Sequence, residues 1–122
     1  MTVEHSIVQF LMAETKVADL VGNRVFPVKL PDQTELPAIT YARISSVRQR
    51  SHSGKSNLTG SRYQFSIWAK TQRACAEVRD AFIEKIDCAQ TGDILAFHEN
   101  DNEMYSPAVD AYHMPVDVMI NH

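Results

Sequence analysis

Residues 112–120 read YHMPVDVMI, and their reading decides the fold. Tyr112, Met114, Val116, Val118 and Ile120 occupy every second position, which puts all five on one face of a pleated strand. A helix would scatter them around its axis. Pro115 has no backbone N–H for a ladder, so the side of the strand it faces is expected to be an edge or a bulge.

Upstream, Arg62 to Ala69 repeats the pattern. Tyr63, Phe65, Ile67 and Ala69 face one way, and Gln64, Ser66 and Trp68 face the other. Thr71 then offers an N-cap for a helix over about Gln72 to Cys88, where Cys75, Val78, Phe82 and Ile86 form an apolar stripe. Ala38 to Ile44 forms a further strand and Ile94 to His98 another, while Arg24-Val25-Phe26 is a short extended piece closed by Pro27. Near the N-terminus, Val3, Ile7, Phe10 and Leu11 have helical spacing behind Thr2 as N-cap. A short second helix over Glu14–Val21 stops at Gly22-Asn23. KLPDQTELP (29–37), ENDNE (99–103) and Ser106-Pro107 read as loops. The expected fold class is α+β: an antiparallel sheet of about four to five strands with two or three helices packed on it and a long β-hairpin loop projecting. Residues 1–122 suit a single domain.

The projecting loop is 48–61, whose only apolar residue is Leu58. It contains Gly54-Lys55-Ser56, the ending of a phosphate-binding loop. The glycine such a loop needs five residues earlier is Gln49, and a strand follows instead of a helix. The loop therefore has another role. With Leu58 as its one apolar residue, it cannot fold onto its own core, and it is expected to be flexible in the free chain.

Little else points to chemistry. His5, His52, His98, His113 and His122 lack metal-binding spacing, and no serine sits in a G-x-S-x-G elbow. Cys75 and Cys88 lie 13 residues apart, about 20 Å along a helix, too far for an internal disulfide. ENDNE does not fit a calcium loop. No enzyme activity, metal or cofactor is expected. No apolar run approaches the roughly 20 residues that span a bilayer, and the N-terminal residues begin no signal pattern, so folding in a cytoplasm is expected.

The charge distribution is more informative than the net charge of −3. Arg43, Arg48, Arg50, Lys55 and Arg62 fall in a twenty-residue stretch with no acid. From Glu77 onward, ten acids face only Arg79 and Lys85, a balance of −8. A chain with one basic limb and one acidic end suits head-to-tail contact between copies. The alternative is a small nucleic-acid-binding module that uses the basic 43–62 loop beside Tyr63 and Trp68.

The ordered segments ADLVGNRVFP (18–27), LPAITYARIS (36–45), RYQFSIWAKT (62–71) and AYH (111–113), with Asp117 after them, are similar to the bacteriophage tail-completion family, also described as tail-terminator or head–tail joining proteins. The matching residues include Leu20-Val21-Gly22, Arg24, Phe26-Pro27, Leu36-Pro37, Tyr41, Arg43, Ser45, Arg62, Gln64, Trp68-Ala69 and Tyr112. Ala111, where a leucine is usual, and Pro115 depart from the pattern. The resemblance implies a structural protein of a tailed phage or prophage, assembled in the host cytoplasm and placed in the virion at the tail–head junction. Members form a ring, usually of six copies, that ends the tail tube and meets the head connector. The implied partners are sister copies, the tube protein and the head-completion or connector protein, with DNA passing through the ring and no membrane involved. The expected interface residues are Arg43, Arg48, Arg50, His52, Lys55 and Arg62 on the basic limb and Glu77, Asp80 and Glu84 on the acidic helix. The cations either meet a neighbour's acids or line the DNA channel.

Overall fold

The computed structural model describes residues 3–13, 15–48, 59–87, 89–91, 94–107 and 110–121. Its elements run α1 (Val3–Met12), α2 (Thr15–Val21), β1 (Val25–Pro27), β2 (Ala38–Arg48), β3 (Thr59–Ala69), α3 (Gln72–Ile86), β4 (Ala89–Thr91), β5 (Ile94–Asp101), β6 (Met104–Ser106) and β7 (Ala111–Asn121).

The two alternating segments become sheet neighbours. β3 and β7 pair antiparallel from Gly60↔Asn121 to Ala69↔Tyr112, which sets Tyr63 opposite Val118, Phe65 opposite Val116 and Ile67 opposite Met114. All six of these side chains are buried. The period of two thus lays one continuous apolar surface across the two strands. α3 closes it with its stripe of Cys75, Val78, Phe82 and Ile86. Ile7 and Leu11 of α1 and Val17 and Val21 of α2 complete the same core. Tyr112, expected on the inner face, is instead 36% exposed at the end of the row, edge-on to Tyr105.

Among the described residues the sheet has seven strands, more than the four to five expected. Its order is β1-β2-β3-β7-β5-β4, with β6 also on β7. The additional strands, β4 and β6, have three residues each, too short to show a period in sequence. The sheet is also not wholly antiparallel, because β1 runs parallel to β2. A parallel pair needs a crossover, and the proline-rich 28–37 segment supplies it. ENDNE is not a loop throughout: β5 runs to Asp101 before the chain turns into β6.

Pro115 lies in the middle of the sheet, not at an edge. Its carbonyl accepts from the Asn102 N–H at 3.1 Å. A residue's N and C=O point to the same side of a strand, so the missing N–H also faces the connection between β5 and β6. The ladder is already interrupted there, with a register shift between His98 and Asn100 close by. The proline therefore leaves no bond unmade within the β3–β7 ladder.

The helix signals hold where they are described. Thr71 Oγ1 accepts from the Ala74 N–H at 3.1 Å and caps α3. Thr71→Ala is expected to cost about 1 kcal/mol in urea unfolding, and Thr71→Ser to restore most of it. Gly22 ends α2 at a φ of +61°, the left-handed region that glycine enters without strain. A Cβ at that position would also stand 3.2 Å from the Arg24 guanidinium.

The hairpin narrows. Arg48 and Thr59 to Ser61, expected in the loop, belong to the β2–β3 ladder, which reaches Arg48↔Thr59. The remainder of the loop, 49–58, lies outside the described residues, as do Thr2, Cys88, Gly92 and His122.

Candidate interaction surfaces

The basic limb is set on β2 and β3. Arg43 is exposed beside the register shift that separates it from Ser45. Arg62, on β3, is about half exposed and pairs with Glu99 at 3.2 Å. Arg48 is the last residue of β2; Arg50, His52 and Lys55 lie outside the described residues.

The acidic residues are brought together by α3. Glu77, Asp80 and Glu84 follow a +3, +4 spacing, which stacks them on one side of the helix. That side faces α2 across a groove of about 440 Å³. Leu20 and Ala81 supply its apolar lining, Asp19 adds a fourth carboxylate, and Lys16 is the one lining cation. Lys16 reaches across to Glu84 at 3.3 Å, with both side chains mostly exposed. Asp80 accepts from Arg79 at 3.1 Å. Asp19 and Glu77 have no ion pair among the described residues. Nor does any described ion pair within the chain join Arg43 or Arg62 to the α3 acids. The α2 side of this groove escaped the sequence reading, because nothing in a seven-residue helix announces which neighbour it packs against.

The ENDNE acids are engaged with protein groups. Glu99 meets Arg62, and Asp101 lies 3.0 Å from His98 Nε2. Glu103 accepts from Arg79 at 3.0 Å. Burial opposes the Arg79 charge, but the hydrogen bonds to Asp80 and Glu103 outweigh it and leave its pKa raised. No three His, Cys, Asp or Glu side chains among the described residues come together as a metal site would require. No helix among them is long and apolar enough to cross a membrane.

The sheet face away from the core carries an aromatic stack that the sequence did not reveal. Trp68 and His113 face each other across β3 and β7 with ring centroids 4.0 Å apart and planes 3° from parallel. Trp68 Nε1 donates to Thr40 Oγ1 at 3.1 Å. His113 Nε2 is buried without a hydrogen-bond partner among the described residues, and burial lowers the imidazole pKa below its usual 6.5. The unfolded chain thus binds the His113 proton more readily than the folded one. Stability rises with pH through the window below 6.5 and is lost as pH falls through it. His113→Phe, which keeps a ring against Trp68, is expected to flatten the fall in melting temperature between about pH 7 and pH 5. An unchanged slope would show that other groups carry it.

Cys75 is a core thiol. Its Sγ lies 3.2 Å from the Ile67 carbonyl, and burial pushes its pKa up to about 11, far from a nucleophile's range.

A sequence profile of the family described as tail completion protein gp17 matches residues 5–121. The chain belongs to that family. The resemblance read from the LVG, LPAITYARIS and RYQFSIWAKT segments is thereby confirmed, and the chain is a structural protein of the phage tail. A chain from a structure titled "Virion of native gene transfer agent (GTA) particle" superposes on it with a TM-score of 0.69 at 12% identity. The alignment covers 98% of this chain and 92% of the virion chain, so the two share a fold. No curated protein matches the sequence.

Proposed function

We propose that the chain assembles into a ring, of six copies, that ends the tail tube and joins it to the head connector of the virion. Family membership over residues 5–121 is the observation that carries this reading. The separation of charge supports it: the cations lie on the β2–β3 hairpin and the carboxylates on α3, with no described ion pair joining the two sets inside one chain. Such a subunit suits head-to-tail contacts, which close into a ring when the rotation between copies closes. Its work is geometric, with one surface for the tube and another for the connector, and DNA passes through the ring. The virion is its place, after folding and assembly in the host cytoplasm.

The competing reading, a nucleic-acid-binding module, needs aromatic side chains free to stack on bases. Tyr63 is 2% exposed, and one face of Trp68 is already covered by His113. Negative-stain imaging of the purified protein, alone and with tail tubes, tests the proposal. Rings seated on tube ends are expected. Bare tube ends, together with a DNA probe shifted at low salt by monomers or dimers, would favour the competing reading.

A further inference from the structure

We propose that the α2–α3 groove of one copy seats the basic β2–β3 hairpin of the next. The inference rests on the ring reading in taking copies of this chain as the partners, and it adds which surfaces meet.

The groove has the chemistry to receive such a segment. Its rim carries Asp19, Glu77, Asp80 and Glu84 against Lys16, with Arg79 paired to Asp80 and Lys85 lining the adjoining pocket at the Lys16–Glu84 end. Asp19 and Glu77 are without ion pairs among the described residues, and each carboxylate can accept several hydrogen bonds. The Lys16–Glu84 pair is 65% and 73% exposed, so water screens it and an arriving guanidinium can replace it. Beneath the rim, Leu20 and Ala81 give an apolar floor.

The hairpin is complementary on both counts. It carries Arg48, Arg50 and Lys55 within a stretch that contains no acid from residue 43 to residue 62. Arginine's planar fork fits carboxylates two bonds at a time. Its one apolar residue from 48 to 61, Leu58, matches the single small apolar floor. β7 covers β3 only as far as Gly60, while the β2–β3 ladder runs one pair further, to Arg48↔Thr59, so the last pair before the remaining cations has no β7 partner. A nucleic-acid backbone is a poor occupant for four carboxylates, whereas a second copy supplies the opposite charge. The contact joins two different surfaces, and repeating it propagates head to tail.

The test places a photoreactive residue in the groove. Full-length protein carrying Asp80→p-benzoylphenylalanine is mixed with ¹⁵N-labelled unsubstituted protein, alone and on tail tubes, then irradiated and analysed by mass spectrometry. Position 80 is on the surface, so the fold tolerates it. The expected crosslink joins residue 80 to the 48–58 segment of the labelled chain. Crosslinks to the hairpin of the same chain, crosslinks elsewhere on the partner, or assembled protein without crosslinks would each overturn the proposal.

A charge exchange provides the second measurement. Glu77→Lys with Asp80→Lys is expected to weaken self-association by at least about tenfold. Adding Arg50→Glu and Lys55→Glu to the same chain is expected to recover most of that loss. Groove-side reversal without effect, or an exchange that recovers nothing, would count against the pairing. Failure of the ring reading looks different: copies that crosslink through groove and hairpin yet never bind tube ends would sink the joining role and leave the contact standing.

Discussion

Phe82→Ala is expected to remove roughly 3–5 kcal/mol of stability, a large part of the 5–15 kcal/mol available to a domain of this size. Phe82 is fully buried, with its ring centroid 4.9 Å from that of Phe65. Phe65 in turn lies 6.1 Å from Tyr41 and 6.5 Å from Tyr63, so one aromatic row ties α3 to β3 and β2. α3 meets β3, β5 and β7 as well as both other helices, and the cavity left by the missing ring would lie where these layers join. Neighbours on a rigid sheet collapse into such a space only in part, which is why the cost exceeds the transfer energy of the lost atoms. Urea unfolding followed by the fluorescence of Trp68, the single tryptophan, measures it. A loss below about 1.5 kcal/mol would mean that α3 is not packed on the sheet through this residue. Phe82→Leu, which fills more of the space, is expected to cost less than half as much.

Reversing Arg48, Arg50 and Lys55 to glutamate is expected to abolish joining of tails to heads while leaving the fold in place. All three are charged residues of a polar stretch, a type rarely found in a core unless paired, so circular dichroism and the melting temperature should stay close to wild type. The effect on assembly comes from turning attraction into repulsion. At about 1 kcal/mol for each reversed charge, three reversals weaken each contact by about a hundredfold, and the proposed ring would multiply that loss over its interfaces. Raising the salt should weaken wild-type joining and partly relieve the variant, because both effects are screened over about 10 Å at 0.1 M. Complementation of a lysate deficient in joining is the assay. Infectious particles at wild-type yield from the triple variant would rule the basic limb out of joining. This outcome does not depend on whether the cations meet a neighbour or the DNA channel.

The acids of the candidate surface were legible in part. Glu77, Asp80 and Glu84 announce a shared helix side through their spacing alone, and the basic stretch from Arg43 to Arg62 is visible as a run without acids. Asp19, Lys16 and Leu20 were not legible, because they join the surface only through the packing of α2 on α3. The Trp68–His113 stack was hidden for a similar reason. Each residue sits at an ordinary outward position of its strand, and only the β3–β7 register makes them neighbours.

By itself the sequence determined the parts whose physics is local. The period of two set the inner faces of β3 and β7, the +3, +4, +4 stripe set the buried side of α3, Thr71 capped that helix, and Gly22 ended α2. Tertiary structure decided the rest: that β7 lies between β3 and β5, that β1 runs parallel to β2, and that strands of three residues extend the sheet to seven. A short strand carries too few residues for a period, and its hydrogen-bond partners are supplied by distant parts of the chain. Pro115 shows the same division. Its missing donor could be read from the sequence, but only the assembled sheet provided the break between β5 and β6 that lets a central strand carry it.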